Sequence, residues 1–194
     1  MKKLIVTLSV ILITTFAGIA QENHDHHKKN QVNDVITKPA SPMGKVDEKV
    51  TASIKVVVAH YLHMKDALTK DNSKDAAAAG KAIVDAIGKV DKSAMTAEQK
   101  NNFDDIADDT KENAEHIGAN ADKIAHQREH FDLLSKDIYD LTKAFGAGQT
   151  LYKNFCPMYN KGKGAFWLSD SKTIKNPYYG KQMLTCGSVK EEIK

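Results

Sequence analysis

One arginine, Arg128, and one tryptophan, Trp167, occur in 194 residues. With so little arginine the chain lacks the planar fork of donors that clamps phosphates and reads guanine. Lysine supplies the rest of the positive charge, and 28 Lys+Arg against 25 Asp+Glu leave a formal net charge of +3, two units of which belong to Lys2 and Lys3. A nucleic-acid partner therefore has no electrostatic footing. No glycine-rich phosphate loop, no pair of carboxylates at a recognisable spacing and no motif around a serine or cysteine nucleophile is present, so nothing supports an enzyme. Beyond the first twenty residues no apolar run approaches the roughly 18 to 20 residues that span a bilayer, and stable membrane insertion is not expected. What remains, 41% hydrophobic and 27% charged residues, is the balance of a folded soluble domain.

The first twenty residues have the order of a secretory signal. Lys2 and Lys3 form a basic start, Leu4 to Phe16 an apolar stretch, and Gly18-Ile19-Ala20 a small-residue cleavage site. The expectation is export to the periplasm or secretion with cleavage after Ala20, and without a lipid anchor, because no cysteine stands at the cleavage site. The only two cysteines, Cys156 and Cys186, would then reside where disulfides persist.

From residue 21 to 45 the chain is polar, carries Pro39 and Pro42 and has no apolar periodicity, which predicts a flexible tail containing His24, His26 and His27. Periodicity begins beyond it. Val50, Ile54, Val57, Tyr61, Met64 and Leu68 step by four and three along a first helix; Ala76, Ala79, Ile83, Ala86 and Val90 follow along a second after Asp71-Asn72-Ser73. Thr96 and Gln99 form a capping box for a third helix with Phe103, Ile106, Thr110, Ala114 and Ile117. Gly118 is placed as a C′ glycine and Asn120 as the N-cap of a fourth helix with Ile124, Arg128, Phe131, Leu134, Ile138, Leu141 and Phe145. One unbroken helix over the last two segments is the alternative. The predicted class is all-α, an antiparallel four-helix bundle over residues 46–146. Arg128 falls on the apolar stripe and needs a carboxylate or carbonyl partner, which predicts an ion pair tying the tail to the bundle.

Residues 147–194 lose the helical period. Tyrosines, phenylalanines and Trp167 crowd around both cysteines, Pro157 and Pro177, with glycines at 162, 164, 180 and 187 marking turns. The expectation is a loop-rich lobe that borrows burial from the bundle. Cys156-Pro157-Met158, Trp167-Leu168-Ser169, Asn176-Pro177-Tyr178 and Met183-Leu184-Thr185-Cys186-Gly187, with Gln127-Arg128, Phe131 and Ala67-Leu68, resemble the periplasmic domain-of-unknown-function family 3347 over about residues 46–190. Members of that family occur as free exported proteins and as extensions of periplasmic adaptors of heavy-metal efflux pumps. The resemblance thus implies a metal-handling context and an efflux adaptor as partner.

Four sulfur atoms are the main candidate ligands. Cys156 and Met158 are two apart and share one side of an extended segment, while Met183 and Cys186 can meet across one turn. Converging thiolates and thioethers would select Cu(I). A Cys156–Cys186 disulfide with Met158 and Met183 as gap fillers is the alternative, and both readings stay open. Weaker candidates are His24, His26 and His27 in the tail, His60 and His63 flanking Met64, which is expected in the core, and His126 with His130, one helical turn apart with no third ligand apparent. Mass spectrometry of the exported protein should find a mature chain beginning near Gln21; an intact Met1 in the cytosolic fraction would refute export.

Overall fold

The computed structural model describes residues 44–194. Four helices come first: α1 (Glu48–Thr69), α2 (Ser73–Ile87), α3 (Ala97–Ala119) and α4 (Ile124–Phe145). Residues 1–43, with the expected signal and His24, His26 and His27, lie outside the described part. Each start has a local cause except the last. Asp47 accepts from the amide of Lys49, Asn72 from that of Asp75, and Thr96 with Gln99 makes the complete capping box.

The helices pack as an antiparallel bundle, and the contacts between neighbours run in opposite chain order. Thr51 of α1 bonds the Phe145 carbonyl, Tyr61 stacks on Phe131 at 5.2 Å, and the Leu68 carbonyl meets Arg128, all on α4. Between α3 and α4, Phe103 meets Phe145 edge-on at 5.8 Å, while Asn113 reaches Asp137. Val57, Tyr61, Met64, Ile83, Ile117, Phe131, Leu134 and Ile138 are fully buried in the shared core.

Several expectations need correction. Ile106 and Ala86 are half-buried, and Ile87 takes the inward position in α2. Gly118 is not a C′ residue but lies within α3, packed against Ala77 and Lys81 of α2. Asn120 is the C-cap of α3, donating to the His116 carbonyl, rather than the N-cap of α4; that place falls to Lys123, which makes no side-chain capping bond.

The chain is also not all-α. After Gly146, whose φ of +81° ends α4, strands β1 (Leu151–Cys156), β2 (Ala165–Ser169) and β3 (Ser188–Ile193) form an antiparallel sheet in the order β2-β1-β3. The predicted loop-rich lobe contains this sheet. Its seat on the bundle is Tyr61, whose hydroxyl lies 2.8 Å from Ser135 Oγ and accepts the Leu168 amide of β2 at 3.0 Å. Ser135 itself donates to the Phe131 carbonyl, so Tyr61 donates to Ser135. One phenol thus joins α1, α4 and β2, and burial pushes its pKa well up. At the sheet's outer side, the Lys153 ammonium lies 3.9 Å from the Tyr139 ring centroid and 4.2 Å from that of Phe166, while Tyr139 and Lys143 both bond Glu191 of β3.

Arg128 makes the expected ion pair, but with Asp71 of the α1–α2 connection; its tie to the C-terminal lobe is a hydrogen bond to a carbonyl. Its Nε donates to the Pro177 carbonyl at 2.8 Å and its Nη2 to the Leu68 carbonyl at 3.1 Å and to Asp71 Oδ1 at 2.6 Å. Burial raises the Asp71 carboxyl, but the bonds from Arg128 and from the Lys181 amide outweigh it, so the group sits below the usual carboxylate range. Asp71 holds a left-handed φ of +58°, a conformation that persists where its surroundings over-determine it. Gly180, with φ +54°, lies against this pair; a Cβ there would overlap Asp71 Oδ1 and come within 2.6 Å of Arg128 Nη2.

Two outcomes follow for stability. Leu134→Ala should cost about 2 to 5 kcal/mol by thermal or urea unfolding; an unchanged midpoint would contradict its place in the core. The folded pKa of Asp71 lies below the unfolded one, so the stability it contributes is complete above about pH 3.9 and is lost as pH falls through the folded value. Asp71→Asn should therefore lower stability at neutral pH and flatten this part of the acid limb in urea titrations, whereas a parent-like acid limb would show that the pair contributes nothing.

Candidate functional site

The sulfur residues lie where the lobe folds back on itself. Cys156 ends β1 opposite Ala165, and Cys186 closes the turn that follows the 3₁₀ segment Gly180–Gln182, its amide bonded to the Met183 carbonyl at 3.0 Å. Asn176 places this turn. Its side-chain oxygen accepts the amides of Tyr178 and Tyr179, its side-chain nitrogen donates to the Cys186 carbonyl at 2.8 Å, and its own amide donates to the Leu184 carbonyl at 2.7 Å. Gly187 is required next: with φ +140° it passes so near Trp167 that a Cβ would come within 2.9 Å of the indole.

The result is a pair of free thiols with Sγ atoms 2.9 Å apart, Cys156 fully buried and Cys186 half-buried. The bond to Cys156 and burial push the Cys186 thiol up, against a smaller opposite effect from the Met158 amide. Two neighbouring thiols resist losing both protons, and a bound cation would displace them. Met158 and Met183 are 55% and 38% exposed, which excludes the gap-filling role that the sequence allowed them. The backbone of Met158 is fixed by the Tyr179 hydroxyl donating to its carbonyl at 2.9 Å. Tyr159 and Tyr178 stack at 4.3 Å, and Tyr178 meets Trp167 edge-on at 6.0 Å, walling the inner side with rings.

A second cluster was only partly visible in the sequence. His126 and His130 of α4 are joined by His116 from the last turn of α3, and one ligand atom from each ring lies within 4.8 Å of the others. Among the described residues this is the one group of three or more His, Cys, Asp or Glu side chains so arranged. The rings of His116 and His130 stack at 4.3 Å, and His126 lies edge-on to His130 at 4.6 Å. Hydrogen bonds set two tautomers. Both Asn113 Nδ2 bonds go to the Asp109 carbonyl and to Asp137, so its Oδ1 accepts from His130 Nδ1 at 3.1 Å. Glu129 likewise accepts from His126 Nδ1 at 3.3 Å. Each of these rings then offers Nε2 as a lone pair. Burial, then His116 and His126, push the His130 pKa down to about 4, and the ring is neutral at physiological pH.

His116 escaped the sequence reading because its partners are non-local. The signal that could have found it is the turn at 120–123: in an antiparallel pair, a residue in the last turn before the turn faces those in the first turns after it. Among the described residues His60 and His63 gather no such neighbours, and His63 lies 3.8 Å from Asp75. Met64 is buried in the core, as expected.

No described helix is long and apolar enough to cross a membrane. No curated protein and no solved structure matches the chain. A family match covers residues 57–150, which includes Arg128 and the three imidazoles and stops before β1. The sulfur motifs of the lobe lie beyond it. Over that stretch the chain matches the family described as Protein of unknown function (DUF3347).

Proposed function

We propose that the protein is an exported soft-metal binding protein that takes copper as Cu(I) on Cys156 and Cys186 and sequesters it or hands it to an efflux adaptor. The observation that carries this reading is the approach of the two thiols to 2.9 Å, one buried and one reachable; Met158 and Met183, near them in sequence, are both exposed. Two thiolates anchor a soft monovalent ion, and thioethers complete its shell without adding charge. Exposed thioethers suit an ion that must be taken up and released. The signal-like order of the first twenty residues supports export, and the efflux context comes from the family resemblance.

The same closeness of the thiols favours a second reading, a non-metal interaction module of an envelope complex stapled by a Cys156–Cys186 disulfide. With that pair oxidised, Cu(I) uptake is expected only after reduction.

Thiol counting on protein purified without added metal separates the resting states, two free thiols against none. Titration of the reduced protein against a Cu(I) chelator should give one-to-one binding that Cys186→Ser abolishes, Met183→Leu weakens and His126→Ala leaves unchanged. If Cys186→Ser binds like the parent, or reduced protein takes up no Cu(I), the interaction-module reading replaces this one.

A further inference from the structure

We infer that His116, His126 and His130 form a second metal site, separate from the sulfur pair, that takes a borderline divalent ion of the zinc, nickel or copper(II) class on three imidazole nitrogens. This goes beyond the sulfur reading and does not rest on it, since no sulfur ligand is shared and the donors suit a different class of ion.

Three observations carry it. First, the donors come from two helices whose spacing is fixed by the core beside them: Ala114 and Ile117 of α3 and Phe131 of α4 are all fully buried. Packing thus fixes the two helices that carry the donors, and one ligand atom from each ring lies within 4.8 Å of the others. Second, hydrogen bonds already place the proton of two rings on Nδ1. Asn113 and Glu129 each hold an Nδ1–H, which is the outer-shell arrangement that orients a ligating histidine and frees its Nε2. Asn113 is in turn fixed by the Asp109 carbonyl and by Asp137, so this shell has support of its own.

Third, all three imidazoles are half-buried. An ion held there would keep contact with water and one open coordination position, as three-ligand zinc sites do. His116 and His130 stack with planes 4° apart, so one ring must turn for both to address a single ion. His116, whose imidazole has no hydrogen bond among the described residues, is the ring freest to turn, since torsion about that terminal bond is soft.

The test uses the full chain carrying His24→Ala, His26→Ala and His27→Ala, with nitrogen-15 histidine spectra recorded during titration with zinc chloride. Within about two equivalents, one of which the thiolates can take, the Nε2 signals of His116, His126 and His130 should move together while those of His60 and His63 stay. His116→Gln should weaken zinc binding at the other two rings by about 100-fold, and Asn113→Leu by about tenfold. Both variants should leave Cu(I) binding at the cysteines as it is. The inference is overturned if zinc leaves the three rings unshifted in the unsubstituted cluster, if they shift independently, or if His116→Gln binds zinc like its parent; the three histidines are then a packing stack. None of these results bears on the Cu(I) titration, so the two readings fail separately.

Discussion

Arg128 is the point at which bundle and lobe become one structure. A lone guanidinium on an apolar stripe is costly to bury without partners, and this one spends its donors on three different segments: the last turn of α1, the α1–α2 connection and the Pro177 carbonyl of the lobe. Lysine could not replace it, because a single ammonium cannot present divergent donors from a rigid plane. The demand for this one fork explains neighbouring residues that otherwise look unrelated. Asp71 accepts a left-handed backbone to face it, and Gly180 gives up a side chain to let the lobe pass.

The lobe has a sheet of three short strands whose β3 is largely exposed, and its β2 is tied to the bundle through Tyr61. Pro177 is the covalent neighbour of Asn176, and Asn176 holds the carbonyl of Cys186. The position of the outer thiol is therefore set through a short chain of contacts that begins on helix α4. Cys156, by contrast, is fixed by the sheet, opposite Ala165. The spacing between the two sulfurs depends on how the lobe is seated as much as on the local turn.

The helical part was legible because its signals are local and repeated. Val50 to Leu68 and Phe131 to Phe145 recur at the helical period, and Thr96 with Gln99 announces an N-terminus by itself. The strands were not legible for a physical reason. β2, Ala165–Ser169, has four of its five residues buried and so shows no alternation, and β3, Ser188–Ile193, is polar because it is an edge. Asn120 misled because asparagine serves either end of a helix, and only the bond to the His116 carbonyl decides which. At the site, spacing was enough to pair Cys156 with Cys186 as candidates, yet it could not tell that Met158 and Met183 face outward. His116 needed the antiparallel register, which no single segment encodes.

The start of α4 has one more implication. With no side chain capping it at Lys123, its first amides receive no acceptor from a cap, and Gln127 uses its side-chain nitrogen to donate to the carbonyls of Ser73 and Ile117. An uncapped turn is the kind of segment that opens at low free energy and exchanges its amide hydrogens first. His126 rides on that fraying turn, whereas His130 sits one turn deeper beside buried Phe131. Amide exchange should therefore reach the backbone of His126 before that of His130, while Gln127 beside it stays anchored to α2 and α3.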